Sequence, residues 1–160
     1  MLNDILRVYI LEVFFMIFLG ADHRGFKLKE EIKKYLDEKG YKYSDCGAFS
    51  EERSDYPKIA KTVCDKMNKE EDKAILICGS GIGMCMAANK IKGIRAGTCF
   101  NVDVAKDGKE HSNINCLVLP GDFMNYQLAA QVIETWLESV FLGGRYSQRI
   151  EMIDQLEKDN

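Results

Sequence analysis

The chain is predicted to fold as one open α/β domain of three layers, a five-stranded parallel sheet with helices on both faces. Short apolar runs alternate with amphipathic stretches from residue 16 to the C-terminus, so the hydrophobic period switches repeatedly between that of a strand and that of a helix. No hairpin connection separates one strand from the next, which makes successive strands parallel and their connections right-handed crossovers. The 160 residues match the size of a single domain, and a chain of this size buries roughly 70% of its unfolded surface.

Residues 16–21 (MIFLGA) form the first strand, a run of bulky apolar side chains ended by Asp22. Residues 25–39 form a helix with Phe26, Leu28, Ile32, Tyr35 and Leu36 at helical spacing, and Gly40 stops it. Residues 41–46 make a second strand closed by Gly47, and 55–67 a helix in which Ile59, Val63 and Met67 recur every four residues. Ala74-Ile75-Leu76-Ile77-Cys78 is an unbroken apolar run ended by Gly79, the pattern of a strand covered on both faces. A short helix over 84–91, a strand over 94–99, a helix over 102–110 and a strand over 115–119 follow, the last ended by Pro120-Gly121. A long helix over 123–141 and a final one over 146–158 lie on either side of Gly143-Gly144.

The domain is read as residues 16–160, with 1–15 as an N-terminal extension and Met16 as a candidate start. Residues 8–19 are apolar apart from Glu12, but a bilayer span takes about 18 to 20 apolar residues. No small-residue cleavage site precedes Gly20-Ala21. A membrane is therefore not an expected partner. Nor is nucleic acid: 22 basic against 25 acidic residues leave a net charge of −3, and a phosphate backbone requires a basic face. The six cysteines form no C-x-x-C, and the two histidines, His23 and His111, form no cluster with them of zinc-site spacing, so no zinc signature is present. They are read as reduced thiols, which places the chain in the cytoplasm.

In open parallel sheets ligands bind beyond the carboxyl ends of the strands. Cys78-Gly79-Ser80-Gly81-Ile82-Gly83 occupies such a place after the third strand. Its alternating glycines present amide N–H groups as an anion-binding nest, or else make a tight turn that packs a helix on the sheet. It is not the dinucleotide fingerprint, because Met84 stands where the third glycine belongs. Cys78 reads either as a thiol whose pKa is lowered by the following helix, and hence a base or nucleophile, or as a buried structural cysteine. Asp22-His23 follows the first strand, as a carboxylate tuning an imidazole or as a helix cap beside an exposed histidine. His111 precedes the fifth strand near a helix end. Arg145 and Arg149, four apart, share one helical face that can fork onto a phosphate or simply be solvated. Tyr56 either covers a pocket or caps a helix.

Together these residues resemble ribose-5-phosphate isomerase type B and its wider group, which includes the galactose-6-phosphate isomerase subunits. The matching stretches are Gly20-Ala21-Asp22-His23-Arg24-Gly25-Phe26, Arg53-Ser54-Asp55-Tyr56-Pro57, Ile77 to Gly83, Ala87-Ala88-Asn89-Lys90, Gly93-Ile94-Arg95-Ala96, and Gly143-Gly144-Arg145 with Arg149. The resemblance implies a Rossmann-like sheet and homodimers or homotetramers with active sites shared between subunits. It further implies aldose–ketose isomerisation of a phosphorylated sugar through a cis-enediolate in the non-oxidative pentose phosphate pathway, without metal or organic cofactor.

Carried over by position, Cys78 is the base between C1 and C2, in the branch that uses cysteine, since Met84 stands where the other branch has glutamate. Ser80 and the amides of Gly79, Gly81, Ile82 and Gly83 stabilise the enediolate oxygen, and His111 opens the sugar ring. Asp22 holds sugar hydroxyls, His23, Arg145 and Arg149 engage the phosphate, and Tyr56 lines the pocket. Two positions depart from the pattern. Ser112 stands where the family has Asn after the ring-opening histidine, with Asn113 one place later. Asp122 stands where a family arginine supports phosphate binding, so the local charge is expected to be reversed and phosphate held more weakly. An isomerase of a six-carbon sugar phosphate, allose or galactose 6-phosphate, and a non-catalytic sugar-phosphate-binding protein are the alternative readings.

Overall fold

The computed structural model describes residues 15–159. It contains strands β1 (Ile17–Ala21), β2 (Tyr43–Asp45), β3 (Lys73–Cys78), β4 (Ala96–Thr98) and β5 (Cys116–Pro120). Six helices are described: α1 (Phe26–Lys39), α2 (Tyr56–Lys66), α3 (Ile82–Ala88), α4 (Val102–Ser112), α5 (Tyr126–Glu138) and α6 (Arg145–Lys158). All five strands are parallel and ordered β2-β1-β3-β5-β4. The expected three-layer sheet is thus present, while the proposed extension, apart from Phe15, lies outside the described residues.

The strand period of two divides the interior into two cores. Ile17, Leu19, Ile75, Ile77, Leu117 and Leu119 point to one face and pack with α1, α4 and α5. Ala74, Leu76, Cys78, Cys116 and Val118 point to the other and pack with α2 and α3. Trp136 of α5 is 1% exposed and donates its indole N–H to the Ile114 carbonyl at 3.1 Å, so its burial leaves no orphan donor.

Where boundaries differ from expectation, local hydrogen bonding decides. The long helix over 123–141 is shortened to α5 because Asn125 caps it, accepting from the Leu128 amide at 2.9 Å. The second strand starts later than residue 41 because the Tyr41 amide still closes the end of α1 on the Leu36 carbonyl. α3 begins at Ile82 rather than 84, directly after Gly81, and ends at Ala88, with Asn89 as its C-cap. α6 buries no residue within this chain and exposes Met152, Ile153 and Leu156.

Candidate active site

Strand order reverses between β1 and β3: the chain passes from β1 outward to β2, then returns on the other side of β1 as β3. The carboxyl ends of these two strands border the crevice where open α/β sheets bind ligands. Asp22 follows β1 and Cys78 ends β3. The Asp22 amide donates to the Ile77 carbonyl at 3.1 Å, which ties the two strand ends together.

Cys78 is only 4% exposed. The turn after it points the amides of Met84 and Gly81 at its sulfur. Gly81 has φ of 78°, and a Cβ there would lie 2.7 Å from Thr98 Cγ2, so a side chain is excluded twice over. Burial pushes the Cys78 thiol above its ordinary pKa, with the Asp22 charge adding to the push. The two amides and the Arg24 charge pull the other way without overcoming it. This corrects the expected lowering. α3 has only seven residues, and withdrawal of the sulfur from water outweighs the field of so short a helix.

The rest of the loop is set around that thiol. Ser80 Oγ accepts from the Ile82 amide at 3.3 Å, which leaves its hydroxyl proton to donate. Gly83 lies under the Tyr56 ring, and a Cβ built on it would sit 2.7 Å from Tyr56 Cζ. Asp22 is 5% exposed, and its Oδ1 accepts from the amides of Arg24 and Gly25 at 2.9 and 3.0 Å. It therefore caps a turn and also brings a buried carboxylate to the thiol. His23 and Ser54 bind reciprocally, the His23 amide to Ser54 Oγ at 3.1 Å and the Ser54 amide to His23 Nδ1 at 3.3 Å. With Nδ1 accepting, the neutral ring carries its proton on Nε2. Next to these groups is a cavity of about 500 Å³ lined by Asp22, His23, Arg24, Arg53, Tyr56 and Lys58 among others.

His111, Ser112, Asn113 and Arg145 belong to a different place. α4 runs from the carboxyl end of β4 back to the amino end of β5, so its last turn lies at the end of the sheet opposite Cys78. There the His111 ring stacks on Tyr146 with centroids 4.4 Å apart. Arg145 lies over the same Tyr146 ring, 5.0 Å from its centroid, and donates to the Tyr146 hydroxyl at 3.0 Å. Arg149 is exposed one turn further along α6. Asn113 ends α4 in a left-handed conformation and accepts from Lys109 Nζ at 2.8 Å, so it serves as a cap. Ser112 is exposed and lines a second cavity of about 870 Å³ between α6 and the segment 89–96 that follows α3.

Among the described residues, Asp107, Glu110 and His111 bring ligand atoms within 4.8 Å of one another on one turn of α4, the one grouping with the donors for a metal. His111 Nδ1 is 3.8 Å from Asp107, an i,i+4 contact along an exposed helix face. All six cysteines are free thiols. No helix among the described residues is long and apolar enough to cross a membrane. Sequence reasoning passes over the cations of the first cavity, Arg24, Arg53 and Lys58. Arg24 and Arg53 stand inside the matching motifs, but nothing in their spacing reveals that they converge.

Residues 17–153 match the model of the family described as Ribose/Galactose Isomerase. Over 143 residues the chain is 40% identical to ribose-5-phosphate isomerase B of Escherichia coli, covering 89% of this chain and 96% of that protein. Its fold superimposes on the crystal structure of a ribose 5-phosphate isomerase from Thermotoga maritima with a TM-score of 0.85 at 44% identity, covering 88% and 97% of the two chains. It also superimposes on ribose-5-phosphate isomerase B from Mycoplasma genitalium with bound ribulose-5-phosphate, with a TM-score of 0.88 at 37% identity over 91% and 98%. The family match over most of the chain, together with these likenesses in sequence and fold, shows that the chain belongs to the Ribose/Galactose Isomerase family of enzymes.

Proposed function

We propose that this chain interconverts ribose 5-phosphate and ribulose 5-phosphate through a cis-enediolate, with Cys78 as the base. The observation that carries this reading is the Cys78 sulfur itself, buried at the β1/β3 crevice under the amides of Gly81 and Met84. A thiolate there removes the C2 proton of the open-chain aldose, and the electron pair moves onto the C1 carbonyl oxygen. The O2 hydroxyl then passes its proton to the O1 oxyanion, and the thiol returns the carbon-bound proton to C1 as O2 becomes the ketone and the thiolate is regenerated. The negative charge that develops on oxygen faces the loop amides and the Ser80 hydroxyl, donors already oriented before the reaction and so requiring no reorganisation. The ribulose-5-phosphate bound in the Mycoplasma genitalium relative supports the choice of a five-carbon sugar.

His111 is the proposed acid–base group for ring opening, with Arg145 and Arg149 as phosphate ligands. Because their cluster stands at the end of the sheet away from Cys78, the reading requires a second copy of the chain to bring them to the crevice. The active unit is therefore a homodimer or homotetramer with composite sites, and the exposed Met152, Ile153 and Leu156 of α6 fit such an interface.

The test is ribulose 5-phosphate formation by the purified protein, with allose 6-phosphate as the competing substrate and Cys78→Ala in parallel. Activity on the pentose phosphate that the substitution removes is expected. A kcat/KM favouring the six-carbon substrate would transfer the reading to a hexose phosphate, and normal turnover by Cys78→Ala would refute the base. Mixing inactive Cys78→Ala and His111→Ala proteins tests the composite site. Random dimers should recover about a quarter of wild-type activity, since half are mixed and each holds one intact site.

A further inference from the structure

The loop after β5 is fastened to the loop after β3. The Gly121 amide donates to the Cys78 carbonyl at 2.8 Å and the Asp122 amide to the Gly79 carbonyl at 3.0 Å. This puts the Asp122 carboxylate beside Gly79, where it forms an ion pair with Nη2 of Arg24, a residue 98 positions away in sequence. The Arg24 guanidinium lies flat on Gly79: a Cβ there would collide with its Cζ, Nε and Nη1. The glycine is thus needed to admit the arginine.

The acid at position 122 therefore does not leave this corner of the site negative. Asp122 occupies one N–H group of a guanidinium that has five, and the side chain remains 54% exposed. Arg24 lines the cavity that also holds His23, Arg53 and Lys58, together with Asp22 and with Asp55, which pairs with Lys58 at 2.9 Å. Cys78 does not line that cavity; Arg24 borders both, lying over Gly79 next to the thiol and lining the cavity beside it. A phosphate ester needs such a group of cations, while the enediolate is served by the loop amides.

We propose that Arg24 contacts the substrate phosphate in this cavity and that Asp122 is the positioning residue that holds its guanidinium against Gly79. The assignment rests on the reading of the crevice as a sugar-phosphate site. Asp122 fixes the long side chain in the binding geometry before the ligand arrives, which lowers the entropic cost of ordering it.

Kinetics on ribose 5-phosphate and calorimetric titration with inorganic phosphate, both on the full chain, test this. Arg24→Ala is expected to raise KM and the phosphate Kd about 10- to 100-fold, with kcat changed by less than about threefold. Arg24→Lys, which keeps the charge and loses the fork, should fall between the two. Asp122→Ala should raise KM about three- to tenfold in the wild-type background and not at all in the Arg24→Ala background. Unchanged KM and phosphate affinity in Arg24→Ala, or a loss confined to kcat, would overturn the assignment, as would an Asp122→Ala effect that persists without Arg24. If the wild type fails to isomerise ribose 5-phosphate while phosphate binding still depends on Arg24, the anion site stands and the isomerase reading falls.

Discussion

Lys29 is the most deeply buried charged side chain among the described residues, and removing one or the other member of its ion pair should have unequal consequences. Its side chain is fully buried, with Nζ 2.6 and 2.8 Å from the two oxygens of Asp45. At an effective dielectric of about 20, unit charges at that separation attract by roughly 6 kcal/mol. Taking each ion out of water costs several kcal/mol in compensation, so the intact pair contributes little net stability. Asp45→Ala strands a buried ammonium whose other carboxylate neighbour, Glu30, is 3.4 Å away and 39% exposed. The expected loss is about 3–5 kcal/mol. Lys29→Met fills the same volume and leaves Asp45 with Lys33 at 2.9 Å and the Gly47 amide at 3.0 Å, so its expected cost is within about 1.5 kcal/mol.

Urea unfolding at constant slope measures both differences. Equal losses in the two variants, or a larger one in Lys29→Met, would refute this reasoning. Acid should act in the same direction as Asp45→Ala. Burial raises the Asp45 carboxyl, but hydrogen bonds from Lys29, the Gly47 amide and Lys33 together hold it below its ordinary value. Its contribution is therefore complete above the unfolded value of 3.8 and disappears as pH falls through the lower folded one. The site depends on the same pair. Gly47 and Ala48 exchange backbone hydrogen bonds with Ala21 at 2.7 and 2.5 Å, and Ala21 immediately precedes Asp22.

Two further outcomes follow from the crevice. Gly83→Ala places a methyl group against the Tyr56 ring, with ring carbons 2.7 to 3.1 Å away. Displacement of the ring should lower kcat/KM about 10- to 100-fold, and adding Tyr56→Ala should restore the thermal midpoint but not the activity. An unchanged kcat/KM in Gly83→Ala would separate Tyr56 from the substrate. For the pH profile, the base form of Cys78 is the thiolate and burial raises its pKa, so kcat/KM should climb with unit slope through neutrality. Its midpoint should lie above the free-cysteine value of about 8.5. A profile flat from pH 6 upward, on a scale where free thiols titrate near about 8.5, would remove the thiol as base.

The layer architecture was legible in the chain because hydrophobic period is a local property. The run from Ala74 to Cys78, too short for a buried helix and ended by Gly79, reads as a strand covered on both faces, as β3 is, and Gly40 ends α1 with the left-handed φ of 75° that a glycine stop implies. The cysteine and glycine loop after β3 was legible for the same reason, since its pattern is written in six consecutive residues, Cys78 to Gly83, whereas the Arg24, Thr98 and Tyr56 side chains that press on its glycines come from distant positions. Residues read as one group separated in space because α4 carries His111 back across the sheet, and strand polarity decides that end.

The Cys78 thiol shows what local sequence could not weigh. The helix that follows it is visible in the sequence, but the withdrawal of its sulfur from water is a product of packing by β1, α2 and β5, and that desolvation sets the direction of the shift. Asp122 read alone is a reversed charge; read with Arg24 it is half of an ion pair. By itself the sequence determined the order and type of the elements and the place of the glycine loop, all consequences of patterns among near neighbours. Only the tertiary structure decided which charges neutralise one another and which groups share a cavity, because Coulomb and desolvation energies depend on distance in space and on burial, and neither is written in the spacing along the chain.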